Sequence, residues 1–298
     1  DHALFDARQL LSDGESFAPQ MAADICNAIL NAQLAQVRQR PLPSLQSYSL
    51  LLGGIALMHR FSAQDFSRAK ACLDALAERA PRHAEPHAWM ARWHVFRAVQ
   101  GWTNDAAAER TQARDLCRRA LDLDPDSALA LTIAGSVETS LNRDIDQAQT
   151  LYRDALRVDP NEPLAWVLLG TSHSFKGEGD EAMRCCGRAV SLTPLDPMRF
   201  YYDNHTAAAA VAAGNHALGI ELASRSLRAN RLHHSTLRTL AIAQSLAGRM
   251  DEARASVRQI LAAQPDLTVR SFVRSSPAGS FEHGRRLAEA LRQAGLPD

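Results

Sequence analysis

The 298-residue sequence has no excess of charge of either sign, because 33 Lys and Arg residues balance 33 Asp and Glu residues. Sequence-independent binding to nucleic acid or to an anionic membrane depends on an excess of positive charge. The composition therefore argues against direct nucleic-acid binding by this chain. No apolar run reaches the roughly 18 residues that a membrane-spanning helix needs, so the sequence also predicts no membrane partner.

Paired cysteines are missing as well. The chain has five cysteines, an odd number, and no CxxC pair. Disulfide frameworks and structural zinc sites both rely on paired spacings, so we expect free, buried thiols in a reducing compartment, which predicts a cytoplasmic protein. His83, His87 and His94 have helical spacing, but Pro86 interrupts the first pair. We therefore expect no metal site and no cofactor.

Catalytic motifs are also lacking. The sequence has neither a GxSxG nucleophile elbow nor the glycine-rich phosphate loop that ends in a lysine and a hydroxyl residue. The GEGDEA stretch that begins at Gly177 lacks that lysine. We predict that this chain is not an enzyme.

What the chain does have is alanine-rich apolar patterning. Hydrophobic residues make up 46% of the sequence, yet aromatic residues make up only 6%. Alanine favours helices and permits them to pack closely, whereas strands favour aromatic and β-branched residues. An all-α fold is therefore predicted.

One pattern of large and small residues recurs along the chain. Between Pro160 and Pro194, a span of 34 residues, it is carried by Trp166, Gly170, Gly177, Ala182, Cys186 and Ala189. Small residues at Gly170 and Ala182 are expected where two antiparallel helices touch, and Gly177 falls at the turn between them. The preceding unit, from Pro125 to Pro160, has a period of 35, and the following one, from Pro194 to Arg231, has a period of 37 and lacks the closing proline.

This pattern resembles the tetratricopeptide repeat. The resemblance implies a right-handed superhelical α-solenoid of antiparallel helix pairs, with about six units. We expect residues 47–265 to form these units and residues 266–298 to contain a capping helix. Residues 1–46 are expected to hold the remnant of a preceding domain and a capping helix over Phe17–Arg40.

The flanks resemble a narrower group. The run ADICNAILNAQLAQVRQRPLPSLQSYSLLLGG, the irregular repeats and the ending ALRQAGLPD are similar to the C-terminal region of bacterial adenylate and guanylate cyclase-like proteins and of winged-helix transcriptional regulators. This resemblance implies that a cyclase or DNA-binding domain precedes the repeats. Neither activity is assigned to a residue of this chain.

The repeat geometry predicts which residues line a concave groove, because the first helix of each unit faces inward. The predicted partner-binding residues are Arg92, Thr132, Ser136, Val167, Thr171, Ser174, Tyr201, His205, Arg238 and Ser245. Tyr201, His205 and Arg238 would hold an extended peptide through ring faces and a charge-assisted hydrogen bond; the alternative is that they are only solvated. Trp102, in an insertion, either packs beside Trp89 and Trp93 or marks a contact surface.

Two functions remain open at this point. The first is a regulatory interaction module of a bacterial signalling protein, which binds a partner protein, a peptide or its own effector domain in the groove. The second is a repeat domain that senses a small molecule and regulates an attached cyclase or DNA-binding domain. An open groove favours the first function, and an enclosed apolar pocket favours the second.

Overall fold

The computed structural model describes residues 25, 28–32, 45–194 and 196–298. Helices make up most of these residues, and none of them lies in a strand, which confirms the predicted all-α fold. Of the helix predicted over Phe17–Arg40, only residues 25 and 28–32 are described, and they are helical. The rest of that helix, and the predicted remnant before it, lie outside the described residues.

Twelve described helices follow one another as six pairs, and each helix packs against its partner. The pairs are α1 (Ser47–Met58) with α2 (Ala63–Arg79), α3 (Ala84–Val99) with α4 (Ala106–Leu123), α5 (Ala128–Val137) with α6 (Ile145–Val158), α7 (Pro163–Lys176) with α8 (Gly179–Leu192), α9 (Arg199–Ala212) with α10 (His216–Ala229), and α11 (His234–Leu246) with α12 (Met250–Ala263). A π-helical turn, Glu138–Asn142, extends α5.

Local sequence sets where these helices begin and end. The side chains of Asp105, Ser127 and Asp144 each accept a hydrogen bond from a backbone N–H in the first turn of the helix that follows, which satisfies a donor that the helix leaves free. Gly177 ends α7 in the left-handed conformation, with φ at +83°, where a side chain would be strained.

Close contact within a pair depends on small residues, as the spacing predicts. A Cβ atom added at Gly170 in α7 would lie 2.6 Å from Cys186 Sγ and 2.9 Å from the backbone oxygen of Ala182, both in α8. Gly135 in α5 is similarly covered by the ring of Tyr152 in α6. Gly170 and Gly135 therefore fix the distance between the two helices of these two pairs.

Trp102, in the turn between α3 and α4, packs rather than projects. Its ring makes an edge contact with Phe66 at 4.8 Å between centroids, and Phe66 stacks on Trp93 at 4.7 Å. Packing, the first of the two sequence-based alternatives, is thus confirmed, although the ring that Trp102 contacts is Phe66, which in turn stacks on Trp93.

The C-terminal segment folds back along the array. It comprises α13 (Val269–Ser275), a short 3-10 turn (Pro277–Ser280) and α14 (Glu282–Gln293). The buried side of α14, with Ala288 and Leu291, packs in the same core as α11 and α12. Arg143 follows the π-helical turn that extends α5. Its guanidinium donates a hydrogen bond to the backbone carbonyl of Arg274, in α13.

Substitution of Gly170 tests the close helix contact. Gly170→Ala is expected to lower the free energy of unfolding by about 1–3 kcal/mol, because the added methyl group meets the backbone of α8. Gly187→Ala is the matched control, since Gly187 lies in α8 with open space around it; it is expected to raise stability by up to about 1 kcal/mol. Chemical denaturation measures both changes, and equal effects would contradict the packing described.

Candidate functional site

The inner side of the array contains a group of aromatic and basic side chains that we call the inner cluster. It draws on the turn after α1, on α3, on α9 and on the turn before α11. Its members are His59, Phe61, Arg92, Phe96, Tyr201, His205 and His233.

Arg92 lies at the centre of the inner cluster, with only 1% of its surface exposed. Its guanidinium donates hydrogen bonds to the Tyr201 hydroxyl at 2.6 Å and to Ser136 Oγ at 3.3 Å. The same group lies 4.6 Å from the ring centroid of Phe96 and 5.3 Å from that of Tyr201. No carboxylate among the described residues lies within 4 Å of it, so ring faces and hydroxyl dipoles solvate the charge.

The histidines around Arg92 are neutral at physiological pH. Burial, reinforced by the Arg92 guanidinium, lowers the pKa of His59 and that of His205 to about 3. Burial also lowers the pKa of His233 well below 6.5, and the nearby His205 and Arg238 add to the effect. Each ring therefore contributes an apolar face and a single N–H, as His59 does when it donates to the Ile55 carbonyl at 2.8 Å.

The inner cluster joins distant parts of the array. The rings of His59 and Tyr201 make an edge contact at 5.7 Å, and Phe61 stacks on His233 at 4.7 Å. Asn230, which follows α10, donates a hydrogen bond to the His59 carbonyl at 2.9 Å. In a simple repeat array each unit touches only its neighbours, whereas here the first pair meets the fifth pair and the turn that leads to the sixth.

Arg238, on α11, is a second basic group that has no acidic partner among the described residues. It is half-buried, and within the described part of the chain it donates hydrogen bonds to neutral atoms alone, Gln264 Oε1 at 3.1 Å and Ser235 Oγ at 3.2 Å. Burial lowers its pKa to about 10, so it stays charged at neutral pH. Arg225, in contrast, holds the Asp203 carboxylate through two hydrogen bonds of 2.7 Å.

The ten residues predicted to line the groove differ in accessibility. Eight are buried, namely Arg92, Thr132, Ser136, Val167, Thr171, Ser174, Tyr201 and Ser245. Only His205 and Arg238 are half-buried. The ten residues therefore do not form one accessible row, because several of them contact one another across the array.

Contacts connect five of these ten residues. Arg92 bonds to Ser136 and Tyr201, the Tyr201 ring contacts His205 at 4.4 Å, and Thr171 Oγ1 lies 2.8 Å from His205 Nδ1. Thr132 and Ser174 instead bond to carbonyls of their own helices. Partner binding by these ten residues stays a prediction.

Four members of the inner cluster were not identified from the sequence: His59, Phe61, Phe96 and His233. Three of them lie in turns or at helix ends, where the repeat pattern specifies no inward position. The one signal in the sequence is an aromatic residue near the end of the first helix of a pair, in some units followed by another in the next turn. That signal is too common to identify a site.

Other chemical groups lie apart from the inner cluster. Within the described ranges, no three His, Cys, Asp or Glu side chains are grouped as metal ligands, and no helix has the length and apolarity to cross a bilayer. Cys72, Cys117, Cys185 and Cys186 are free and buried. Cys26 lies outside the described residues.

Comparison with protein families identifies part of the array. The family model for the tetratricopeptide repeat matches residues 141–197, which run from the end of the π-helical turn through α8. That segment is therefore similar to the tetratricopeptide repeat. No curated protein sequence matches the chain.

Solved structures with tetratricopeptide-like folds are similar over longer ranges. A chain of the APC/C hetero-tetramer Cut9–Hcn1 is 15% identical with a TM-score of 0.57, over 97% of this chain and 51% of that one. The protein thus spans about half the length of that relative. PilF from Pseudomonas aeruginosa is 22% identical, with a TM-score of 0.45 over 68% and 90%. PilW, a type IV pilus biogenesis factor, is 17% identical, with a TM-score of 0.49 over 74% and 94%.

At these identities the likeness concerns the fold alone. The match to the Cut9–Hcn1 chain covers nearly the whole of this chain and confirms the predicted solenoid of helix pairs.

The neutral histidines predict how stability depends on pH. As pH falls below 6.5, the unfolded chain takes up protons on its histidines, whereas His59 in the folded chain stays neutral down to about pH 3. The unfolded state then binds more protons, so the free energy of unfolding falls, by up to about 1.4 kcal/mol per pH unit for each such histidine.

The variant His59→Gln isolates one of these contributions. Between pH 6 and pH 4 its free energy of unfolding is expected to fall less steeply than that of the wild type, by up to about 1.4 kcal/mol per pH unit. Chemical denaturation at several pH values measures the two slopes, and a measurement at pH 8 checks that the variant folds. Equal slopes would show that His59 is protonated in the folded state.

Proposed function

We propose that this protein is a non-catalytic interaction module whose inner face binds an acidic segment of a partner protein or of its own effector domain. The carrying observation is Arg238, a half-buried guanidinium whose only hydrogen-bond partners among the described residues are neutral oxygens. A bound carboxylate would supply the missing opposite charge. Such charge-assisted bonds contribute about 1.5–3 kcal/mol.

The side chains around Arg238 are polar and uncharged, which favours an anionic peptide whose backbone can form hydrogen bonds with them. His205, also half-buried, and Thr239 lie on the neighbouring helices α9 and α11, and Thr239 Oγ1 bonds to Asn204 Oδ1 at 3.2 Å. The nearby His234 is neutral too, because burial and Arg238 both lower its pKa. Asp203, the buried acid of α9, is already held by Arg199 and Arg225, so it does not neutralise Arg238.

The inner cluster limits the length of the ligand. Because the first pair packs against the turn before α11, the inner face near α1 and α3 is filled by the protein's own side chains. A partner segment would therefore bind next to α9 and α11. This supports recognition of a short acidic segment rather than of an extended peptide along all six pairs.

The proposed module would have an effector domain beside it in the same protein. We place it at the regulatory end of a bacterial signalling protein, behind a cyclase or DNA-binding effector domain, in the cytoplasm. The support for the effector is the resemblance of the flanking sequences. The support for the compartment is that the four described cysteines are free and buried, as is common where thiols stay reduced.

Peptide selection tests the proposed ligand. A displayed library of random peptides is expected to yield peptides rich in Asp and Glu, and the best of them should bind about tenfold more weakly to Arg238→Gln. Arg258→Gln, on the exposed side of α12, removes the same charge elsewhere and serves as the matched control. Calorimetry gives the affinities. Selected peptides without acidic residues, or equal losses in both variants, would refute the assignment.

A further inference from the structure

A cavity of about 260 Å³ lies between α14 and the array, away from the inner cluster. One wall is the end of α9 and the start of α10, another is the end of α11, and the third is α14 itself. The side chains that matter for a ligand are Val211, Leu246, Leu287, His216, His283 and Arg286.

The size and the walls of the cavity fit a small organic molecule. A cavity of about 150 Å³ is large enough to bind benzene, so this one has room for an aromatic ring or a short aliphatic chain with a polar substituent. Val211, Leu246 and Leu287 provide the apolar contacts. Next to them, a Cβ atom at Gly214 would have no neighbour within 4 Å, so the space is open there.

The polar lining is basic. Two imidazoles and one guanidinium border the cavity, and none of the described residues that line it is acidic. Arg286 forms no ion pair with any of the described residues. The end of α9 carries a partial negative charge of about half a unit, which is smaller than the full charge of Arg286, so the lining remains net positive.

His283 adds a hydrogen-bond donor beside the charge. Burial, reinforced by Arg286, lowers the pKa of His283, so its ring is neutral at neutral pH and offers one N–H. Its Cβ atom would lie 3.1 Å from a Cβ added at Gly177, which shows that the start of α14 is pressed against the end of α7. The ring is therefore held at the edge of the cavity.

We propose that this cavity binds a small organic carboxylate, with its apolar part against Val211, Leu246 and Leu287 and its carboxylate on Arg286 and His283. Such a ligand contacts both α14 and the ends of α9 and α11. Binding therefore stabilises the docking of the C-terminal helix on the array. This site is independent of the inner face and of the acidic segment proposed for it.

Three probes of nearly equal shape test the proposal on the whole chain: phenylacetate, 2-phenylethanol and phenethylamine. Calorimetry at neutral pH and the shift in the thermal unfolding midpoint give their affinities. Phenylacetate is expected to bind about fivefold more tightly than the alcohol, and the amine most weakly, because only the carboxylate pairs with the guanidinium. Equal binding of the three probes, or no binding at all, would overturn the proposal.

Charge reversal separates this site from general electrostatics. Arg286→Glu is expected to reverse the order, so that phenethylamine binds most tightly. The control Arg285→Glu makes the same change at an exposed neighbour that does not line the cavity, and it should keep the wild-type order. Ala212→Leu, which fills the cavity, should weaken all three probes at least tenfold. The same reversal in both Glu variants would overturn the proposal, whether or not Ala212→Leu folds.

Discussion

The contact between Arg92 and Tyr201 is the interaction on which the shape of the array depends. It joins the second helix pair to the fifth, which are separated by 109 positions in the sequence. The guanidinium is fully surrounded, yet no carboxylate of the described residues pairs with it, and a buried charge is tolerated only when other groups solvate it. Two aromatic faces, a phenol and a serine hydroxyl do so here. Because these groups come from three helix pairs, the charge is solvated only when the array is curled.

This closure changes how a repeat protein behaves. Where units touch only their neighbours, stability is close to a sum of local terms and the ends unfold independently. Here His59 and Phe61 of the first pair rest on Tyr201 and His233, so the N-terminal pair gains stability from the fifth pair and beyond. Closure also divides the surface available for recognition. The inner face near α3 is filled, Arg238 stays half-buried, and the cavity under α14 lies apart from both.

Much of the local structure could be predicted from sequence, because it follows from spacing. Gly170 marks the close helix contact and Gly177 the turn after α7, since each depends on a few neighbouring residues. The closure could not be predicted, because it depends on the small rotation from each pair to the next, summed over four pairs. Tyr201 belongs to the 37-residue unit without a closing proline, the least regular of the repeats, and His59 and His233 lie in turns. Burial of eight of the ten predicted groove residues could not be predicted for the same reason.

A double-mutant cycle on Arg92 and Tyr201 tests the closure most directly. The free energies of unfolding are measured for the wild type, Arg92→Met, Tyr201→Phe and the double variant. If the two side chains interact across the array, their coupling energy is about 1–3 kcal/mol, as for other residues in direct contact. Effects that add to within about 0.5 kcal/mol, as for residues far apart, would show that the second and fifth pairs do not meet and that the array is open.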